Sequence, residues 1–380
     1  MGWGKWPQYG TEHYAAVDRV IRSGQLFAAK EARALEEFAQ NSMREGFVSA
    51  VGNATQGLHL ALAALDVGTN SEVLVSNYSW ISTASAVLMQ NAIPVFCDFE
   101  INDLGASPTE IEQRITDRTK AVIVTHMLGY QANIEKIARI CKSKGLALIE
   151  DCSHAHGGSL FGKPLGTFGD LSVFSLHQRK TVSAGDGGLV WSRLLDIDQK
   201  IKRLRSFGDA ELSYNYRISE FAAALASVEF TFLPPRTKQR RHATDIFANE
   251  LLGAPGISPV LPRDPEGASY YALALVLDDT ISPLAVDDYL QQCNRLEIPV
   301  RKTWEPLNKH PHFNPVIAPA RGVPWHRDNN LVGSDPYKDQ KFKNSDQFLP
   351  DRILEVYFYP GTSEESVLGL VTITKKALIS

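Results

Sequence analysis

Between residues 46 and 192 apolar runs alternate with segments of helical spacing. "GFVSAVG" is a short apolar run, and "TQGLHLALAALDV" repeats its apolar residues at three and four. "SEVLVSN" predicts a strand, "WISTASAVLMQ" a helix and "IPVFCDFE" a strand. "SPTEIEQRI" opens on Ser107, with Glu110 three residues on, the pattern of a capped helix start. "KAVIVTHML" and "LALIED" predict strands on either side of the helix "NIEKIARICKSKG", which ends at Gly145. "LSVFSLH" and "GLVWS" complete the strands. Strands separated by helices predict a mostly parallel sheet covered on both faces, an α/β fold.

The next stretch, including "ISEFAAALASVEF", is helical, and "FLPPRTK" is expected to interrupt it, because proline ends or kinks a helix. Beyond about residue 245 the elements shorten, as in "YYALALVL" and "SPLAVDDYLQQCNRLE". The expected organisation is a large α/β domain over 1–245 and a smaller α+β domain over 246–380. From Pro306 to Asp351 the chain is polar and rich in Pro, Asn and His, and a long surface excursion is expected there.

With 380 residues the chain exceeds one small core. A formal net charge of −4 gives no general field for nucleic acid. No apolar run has the length to cross a bilayer, and "MGWGKWPQYG" lacks the apolar core of a signal peptide. Cys97, Cys141, Cys152 and Cys293 are scattered, with no CxxC pair. The expectation is therefore a cytoplasmic enzyme without a zinc site or a disulfide framework.

Ligands of an open α/β sheet gather beyond the carboxyl ends of its strands. Three chemistry-bearing segments fall there. Asp151 ends "LALIED", where a buried carboxylate needs a donor or a positive charge. Lys180 follows "LSVFSLH" and precedes a turn holding Gly185, Gly187 and Gly188. "GNATQG", Gly52 to Gly57, joins a strand to a helix and offers small residues and helix-opening amides to an anion, with Thr55 as an added hydroxyl or as the N-cap. It is not a P-loop, since the Gly-Lys-Ser/Thr ending is absent. Asp151 with His154 and His156 suggests a metal, but no third firm ligand is evident.

A lysine, a carboxylate and a phosphate cradle at one sheet edge are what pyridoxal 5'-phosphate requires. Lysine forms a Schiff base with its aldehyde, and an acid keeps the pyridine nitrogen protonated. An aromatic face such as Trp80 in "NYSWIS" would cover the ring. The ordered set "GNATQGLHLAL", "SNYSWISTASA", "IEDCSHAHGG", "SLHQRKTVSAGDGG" and "YNYRISEFAAAL" resembles the DegT/DnrJ/EryC1/StrS family of fold-type I sugar aminotransferases. The resemblance runs from "SGQLFAAKE" to "WEPLNKHPHF".

The resemblance implies that Lys180 is the Schiff-base lysine and Asp151 the partner of the pyridinium. It implies His154 near the cofactor's 3-oxygen, Ala54 and Thr55 in the phosphate-cradling turn, and Ser175 and Gln178 as further phosphate contacts. Trp80 would stack on the ring. Asn215 would reach the phosphate of the neighbouring subunit in a homodimer with shared sites. The implied substrates are glutamate or glutamine as amino donor and a keto- or aldehydo-sugar as acceptor: a nucleotide-linked sugar, a keto-inositol or an octulosonic acid. Asp186 stands where the family commonly has Glu, "NAT" replaces a frequent Gly-Thr pair, and "YYALALVL" lacks the His-Leu of many relatives. "DCSHAHG" resembles the branch acting on aminocyclitols and some keto-sugars. Lys302, Trp304, His310, His312, His326 and Arg327 are candidates for the acceptor pocket. Two other readings keep the fold: a sugar dehydratase, which in this family carries His in place of the lysine, and a non-catalytic sensor, which would need a decayed cofactor site.

Overall fold

The computed structural model describes residues 2–27, 29–207, 212–313, 337 and 339–379. Its large sheet draws on seven strands: β1 (Phe47–Val51), β2 (Glu72–Ser76), β3 (Ile93–Cys97), β4 (Thr119–Thr125), β5 (Ala147–Asp151), β8 (Leu171–Ser175) and β9 (Gly188–Ser192). Two short strands, β6 (Ser159–Leu160) and β7 (Lys163–Pro164), form a separate hairpin. The order across the large sheet is β1-β9-β8-β5-β4-β2-β3. Pairing is parallel from β8 to β3, while β9 runs antiparallel to both its neighbours. Every strand but β9 therefore ends at the same edge, where β9 begins. Val51, Gly188 and Ser175 form one row across that edge, and Thr125 and Asp151 another.

These strands read as continuous apolar runs because both faces are covered. One face packs Leu35, Ile111, Ile137 and Ile140 from flanking helices, and the other packs Leu58, Leu62, Val87 and Ile201. Gly57 lets helix Ala54–Ala64 lie close on the sheet: a Cβ there would sit 2.9 Å from Val173 Cγ1 and 3.1 Å from Val190 Cγ2. Ser107 caps its helix as expected, accepting from Glu110 N–H, and Gly145 closes the helix Ile134–Lys144 at φ 66°.

A second sheet, in the order β10-β11-β13-β12, comprises β10 (Ile257–Pro259), β11 (Leu273–Leu277), β12 (Val300–Lys302) and β13 (Ile353–Val356). The expected interruption at the prolines does not occur: one helix runs from Glu220 to Leu251 with Pro234 and Pro235 inside it. Tertiary contacts clamp it on both sides of the prolines. Before the prolines Glu229 Oε1 accepts from His13 Nε2 at 2.8 Å, and after them Arg236 Nη2 donates to the carbonyl of Gln8 at 2.9 Å. Position 245 lies within this helix, which contacts both the N-terminal helices and the strand β10. The N-terminus also reaches the second sheet, with Trp3 Nε1 donating to the carbonyl of Tyr357 at 3.3 Å. Of the excursion 306–351, the described parts are short turns at Leu307–Lys309 and Pro311–Phe313 and a helix at Lys343–Phe348. Among the described residues no helix is long and apolar enough to cross a membrane.

Candidate active site

The strand ends at the shared edge open into a cavity of about 330 Å³. Its lining brings together Ala54, Thr55, Trp80, Asp151, His154, Ser175 and Lys180, seven of the nine positions proposed from sequence.

Asp151, at the end of β5, is buried and accepts from Thr83 Oγ1 at 3.0 Å and from Ser153 N–H at 3.1 Å. Each of its oxygens thus has one fixed donor, and both keep acceptor capacity for a cation within the cavity. Lys180 follows β8, its amide held to the His177 carbonyl at 2.8 Å and its own carbonyl taken by Trp6 Nε1 at 3.1 Å. Its Nζ lies 5.3 Å from the Tyr271 ring centroid and has no hydrogen-bond or ion-pair partner among the described residues. Burial lowers this amine to about 8; Asp151 opposes the shift and Arg301 adds to it. About a tenth of Lys180 is then free base at pH 7, far more than an ordinary exposed lysine offers a nucleophilic step.

His154 is buried and stacks on Tyr271, with ring centroids 4.2 Å apart and planes 7° apart. Its Nδ1 accepts from Leu128 N–H at 3.2 Å. Burial foremost, then the charges of Lys180 and Arg301, hold the imidazole well below its ordinary pKa. The ring is therefore neutral, and the proton sits on Nε2. That Nε2–H is a buried donor with no partner among the described residues, which in a low-dielectric site calls for an acceptor on a ligand.

The cradle is built at the other end of the row. Asn53, not Thr55, caps helix Ala54–Ala64, its Oδ1 accepting from Gln56 N–H at 2.9 Å. The cap spares the amides of Ala54 and Thr55, which find no acceptor among the described residues and point out of the helix start. Thr55 Oγ1 donates to Ser82 Oγ at 2.8 Å, and Ser175 Oγ accepts from His177 N–H at 3.4 Å. Gly188 brings β9 against this turn: a Cβ on it would stand 2.8 Å from Asn53 C and 2.9 Å from Ala54 N.

Two proposed positions lie elsewhere. Gln178 is exposed and lines a neighbouring cavity with Trp6, Arg179 and Tyr359. A tight turn holds its backbone, through Gln178 N–H to Gly185 O at 3.0 Å and Ser183 Oγ–H to Gln178 O at 3.0 Å. Asn215 is exposed outside this chain's own cavity, with Arg217 Nη2 donating to its Oδ1 at 2.9 Å.

Of the acceptor-pocket candidates, Trp304 lines the cavity edge-on to Trp80, at 5.3 Å between centroids. Lys302 is spent on Asp287 and Asp351, each at 3.0 Å. His310 and His312 pack about Phe313 away from the cavity. His326 and Arg327 lie outside the described residues. Sequence reasoning missed Tyr271 and Arg301, which reach the cavity from near β11 and from β12. A readable signal existed for Arg301: in a strand its neighbour Lys302 must face the other way.

Among the described residues, the group able to hold a metal is His126, Glu150 and Cys152, not Asp151 with His154 and His156. Glu150 is already saturated, accepting from His126 Nε2 at 3.0 Å and from the amides of Gly166, Phe168 and Gly169 at 2.7–2.9 Å. Burial holds the Cys152 thiol protonated, so the trio is a structural brace behind Asp151.

An unpaired lysine, a carboxylate facing it, an unpartnered imidazole donor and spare helix amides fit pyridoxal phosphate. Comparison with known proteins bears on the same point. The sequence model of the DegT/DnrJ/EryC1/StrS aminotransferase family matches residues 7–367. A UDP-N-acetyl-3-dehydro-alpha-D-glucosamine 3-aminotransferase of Acidithiobacillus ferrooxidans is 34% identical over 376 residues, 97% of this chain and 94% of that protein. An L-glutamine:2-deoxy-scyllo-inosose aminotransferase of Streptomyces fradiae is 32% identical over 303 residues, 73% of this chain and 71% of that one. The solved aminotransferase TlmJ from Streptoalloteichus hindustanus shares the fold with a TM-score of 0.85 at 23% identity, over 99% of this chain and 98% of that one. With the family match spanning nearly the whole length, the chain belongs to the DegT/DnrJ/EryC1/StrS aminotransferase family and is a pyridoxal phosphate-dependent aminotransferase of fold type I.

Proposed function

We propose that the protein moves an amino group from glutamate or glutamine to the keto or aldehyde carbon of a sugar or cyclitol, in amino-sugar biosynthesis. The observation that carries this reading is Lys180: a lowered-pKa amine in one cavity with Asp151 and the Nε2–H of His154, neither the amine nor that N–H having a hydrogen-bond or ion-pair partner among the described residues. Pyridoxal phosphate, when bound, supplies an aldehyde that carries nitrogen and a ring that takes up electron density. Asp151 would hold the ring nitrogen protonated, His154 Nε2–H would donate to the 3-oxygen, and Ala54, Thr55 and Ser175 would hold the phosphate. Trp80 would cover the ring. Lys180 Nζ, as free base, takes a proton from the substrate carbon and returns it as general acid. The dehydratase reading is disfavoured, because it expects His where Lys180 stands.

The active form in this reading is a cytoplasmic homodimer. Four unpaired, buried cysteines suit a reducing compartment. The exposure of Asn215 suits a residue that serves a partner's phosphate, which would make each site incomplete in one subunit alone. The test is to load nitrogen onto the holoenzyme with glutamate or glutamine, followed by the cofactor's spectrum, and then to present panels of keto-sugars and keto-inositols. Return of the original spectrum with a ketose or cyclosose, and with no simple 2-oxo acid other than the donor's own product, supports the reading. Return with 2-oxo acids alone would replace the sugar acceptor by an amino-acid one.

A further inference from the structure

Among the described residues two arginines line the cavity, Arg179 and Arg301, and they are held very differently. Arg179 is exposed, and among the described residues only its backbone amide has a hydrogen-bond partner, the Nδ1 of His177 at 3.3 Å. Arg301 is braced. Its Nε donates to Glu355 Oε2 at 2.8 Å, and its Nη2 lies 2.7 Å from the same oxygen. Nη2 also donates to the Tyr357 hydroxyl at 2.5 Å, and that hydroxyl donates to Glu355. Glu355 is fully buried, and its other oxygen accepts from Thr303 Oγ1 at 2.7 Å. The guanidinium carbon lies 5.4 Å from the Trp304 ring centroid and 5.2 Å from that of Tyr357. One side of the fork is thus spent on Glu355 and Tyr357, while Nη1 has no partner among the described residues.

Such an arrangement suits two substrates that must use one site in turn. The amino donor brings a carboxylate beside the carbon that yields its proton, whereas a sugar or cyclitol brings hydroxyls. A bare cation would bind the first and trap it, but an arginine already neutralised by a buried carboxylate offers directed N–H donors that either can accept. Rigid bracing also removes the ordering cost that the exposed Arg179 would carry. We propose that Arg301 is the specificity-determining residue that takes the donor's α-carboxylate, held in place by Glu355 and Tyr357. This rests on the aminotransferase reading given above.

The experiment compares wild type, Arg301→Gln, Arg301→Lys and Arg179→Gln as holoenzymes in the nitrogen-loading half-reaction. Donors are L-glutamate, L-glutamine and the decarboxylated amines γ-aminobutyrate and 4-aminobutanamide. The expected result is a half-saturation concentration about 10- to 100-fold higher for glutamate and glutamine in Arg301→Gln, the size of one lost charge-assisted hydrogen bond. The decarboxylated amines should be unchanged, Arg301→Lys should recover part of the loss, and Arg179→Gln should have little effect. Equal losses for all four amines would reduce Arg301 to a structural brace and overturn the proposal. A loss confined to the KM of the ketone acceptor would overturn it too, moving the residue to the acceptor. A wild type that takes nitrogen from none of these amines would fail the aminotransferase reading itself, and the proposal with it.

Discussion

Gly188→Ala isolates the link between sheet packing and the phosphate cradle. The new Cβ would stand 2.8 Å from Asn53 C, 2.9 Å from Ala54 N and 3.0 Å from Asn53 O, all backbone atoms. Comfortable contacts of carbon lie at about 3.5–4.0 Å, so turn and strand must part by roughly 0.7 Å. Strand β9 is fixed on both sides, with Gly188 in register with Val51 and Ser175. The Asn53–Ala54 turn is the party free to move, and it carries the amides that would meet the phosphate. Overpacking of this kind costs about 1–3 kcal/mol of fold stability. Displacing the amides should weaken cofactor binding about tenfold or more, and each tenfold removes about 1.4 kcal/mol from the stabilisation by saturating cofactor. The control is Gly253→Ala. Its φ of +76° strains any Cβ, yet nothing lies within 4 Å of the added atom, so it should cost about 1–2 kcal/mol and leave the cofactor alone. Thermal unfolding with and without pyridoxal phosphate, together with an absorbance titration, separates the two costs. The reasoning is refuted if Gly188→Ala binds cofactor as wild type does, or if both variants weaken it equally.

Asp151→Asn should keep the fold and lose most turnover. A nearby opposite charge shifts a titrating group by about 1–3 units, and absorbance of the bound cofactor against pH should register the lost preference for a protonated ring; unchanged turnover would make Asp151 structural. Cofactor uptake by the apoenzyme should quicken as pH rises through about 8, where Lys180 becomes free base. The folded pKa is below the unfolded one, so between about 8 and the ordinary lysine value the unfolded chain holds more proton, and this residue's contribution to stability rises with pH; a stability–pH slope in this window that is the same in wild type and Lys180→Met would contradict it. Asn215→Ala and Lys180→Ala, each deficient alone, should regain activity when subunits exchange at limiting cofactor, because one heterodimer site then has both residues; verified exchange without gain removes Asn215 from the partner's site.

Local patterns carried most of the large sheet. Each predicted strand holds an observed one, though "IPVFCDFE" and "KAVIVTHML" run past strands that end at Cys97 and Thr125; Ser107 opened and Gly145 closed their helices as expected, and Lys180, Asp151 and the Gly52–Gly57 turn met at one edge because parallel strands must share it. What stayed hidden depended on tertiary placement. Pro234 and Pro235 remain helical because contacts on both sides outweigh their local cost. Tyr271 and Arg301 belong to segments more than ninety residues beyond Lys180 in the chain, and only the docking of the second sheet brings them to the cavity. Lys302 stood among the acceptor-pocket candidates, but its neighbours Asp287 and Asp351 occupy it. Gln178 shows the opposite limit: a motif position fixes the backbone, while the turn around it decides which cavity the side chain lines.

The central claim is that Lys180 is the residue that carries the cofactor. Reducing the holoenzyme with borohydride fixes the cofactor to whichever amine holds it, and peptide mapping by mass spectrometry then reads the position. The account predicts a single modified peptide containing Lys180, and none in Lys180→Ala. A label on any other lysine, or equal labelling in the Lys180→Ala variant, would contradict it.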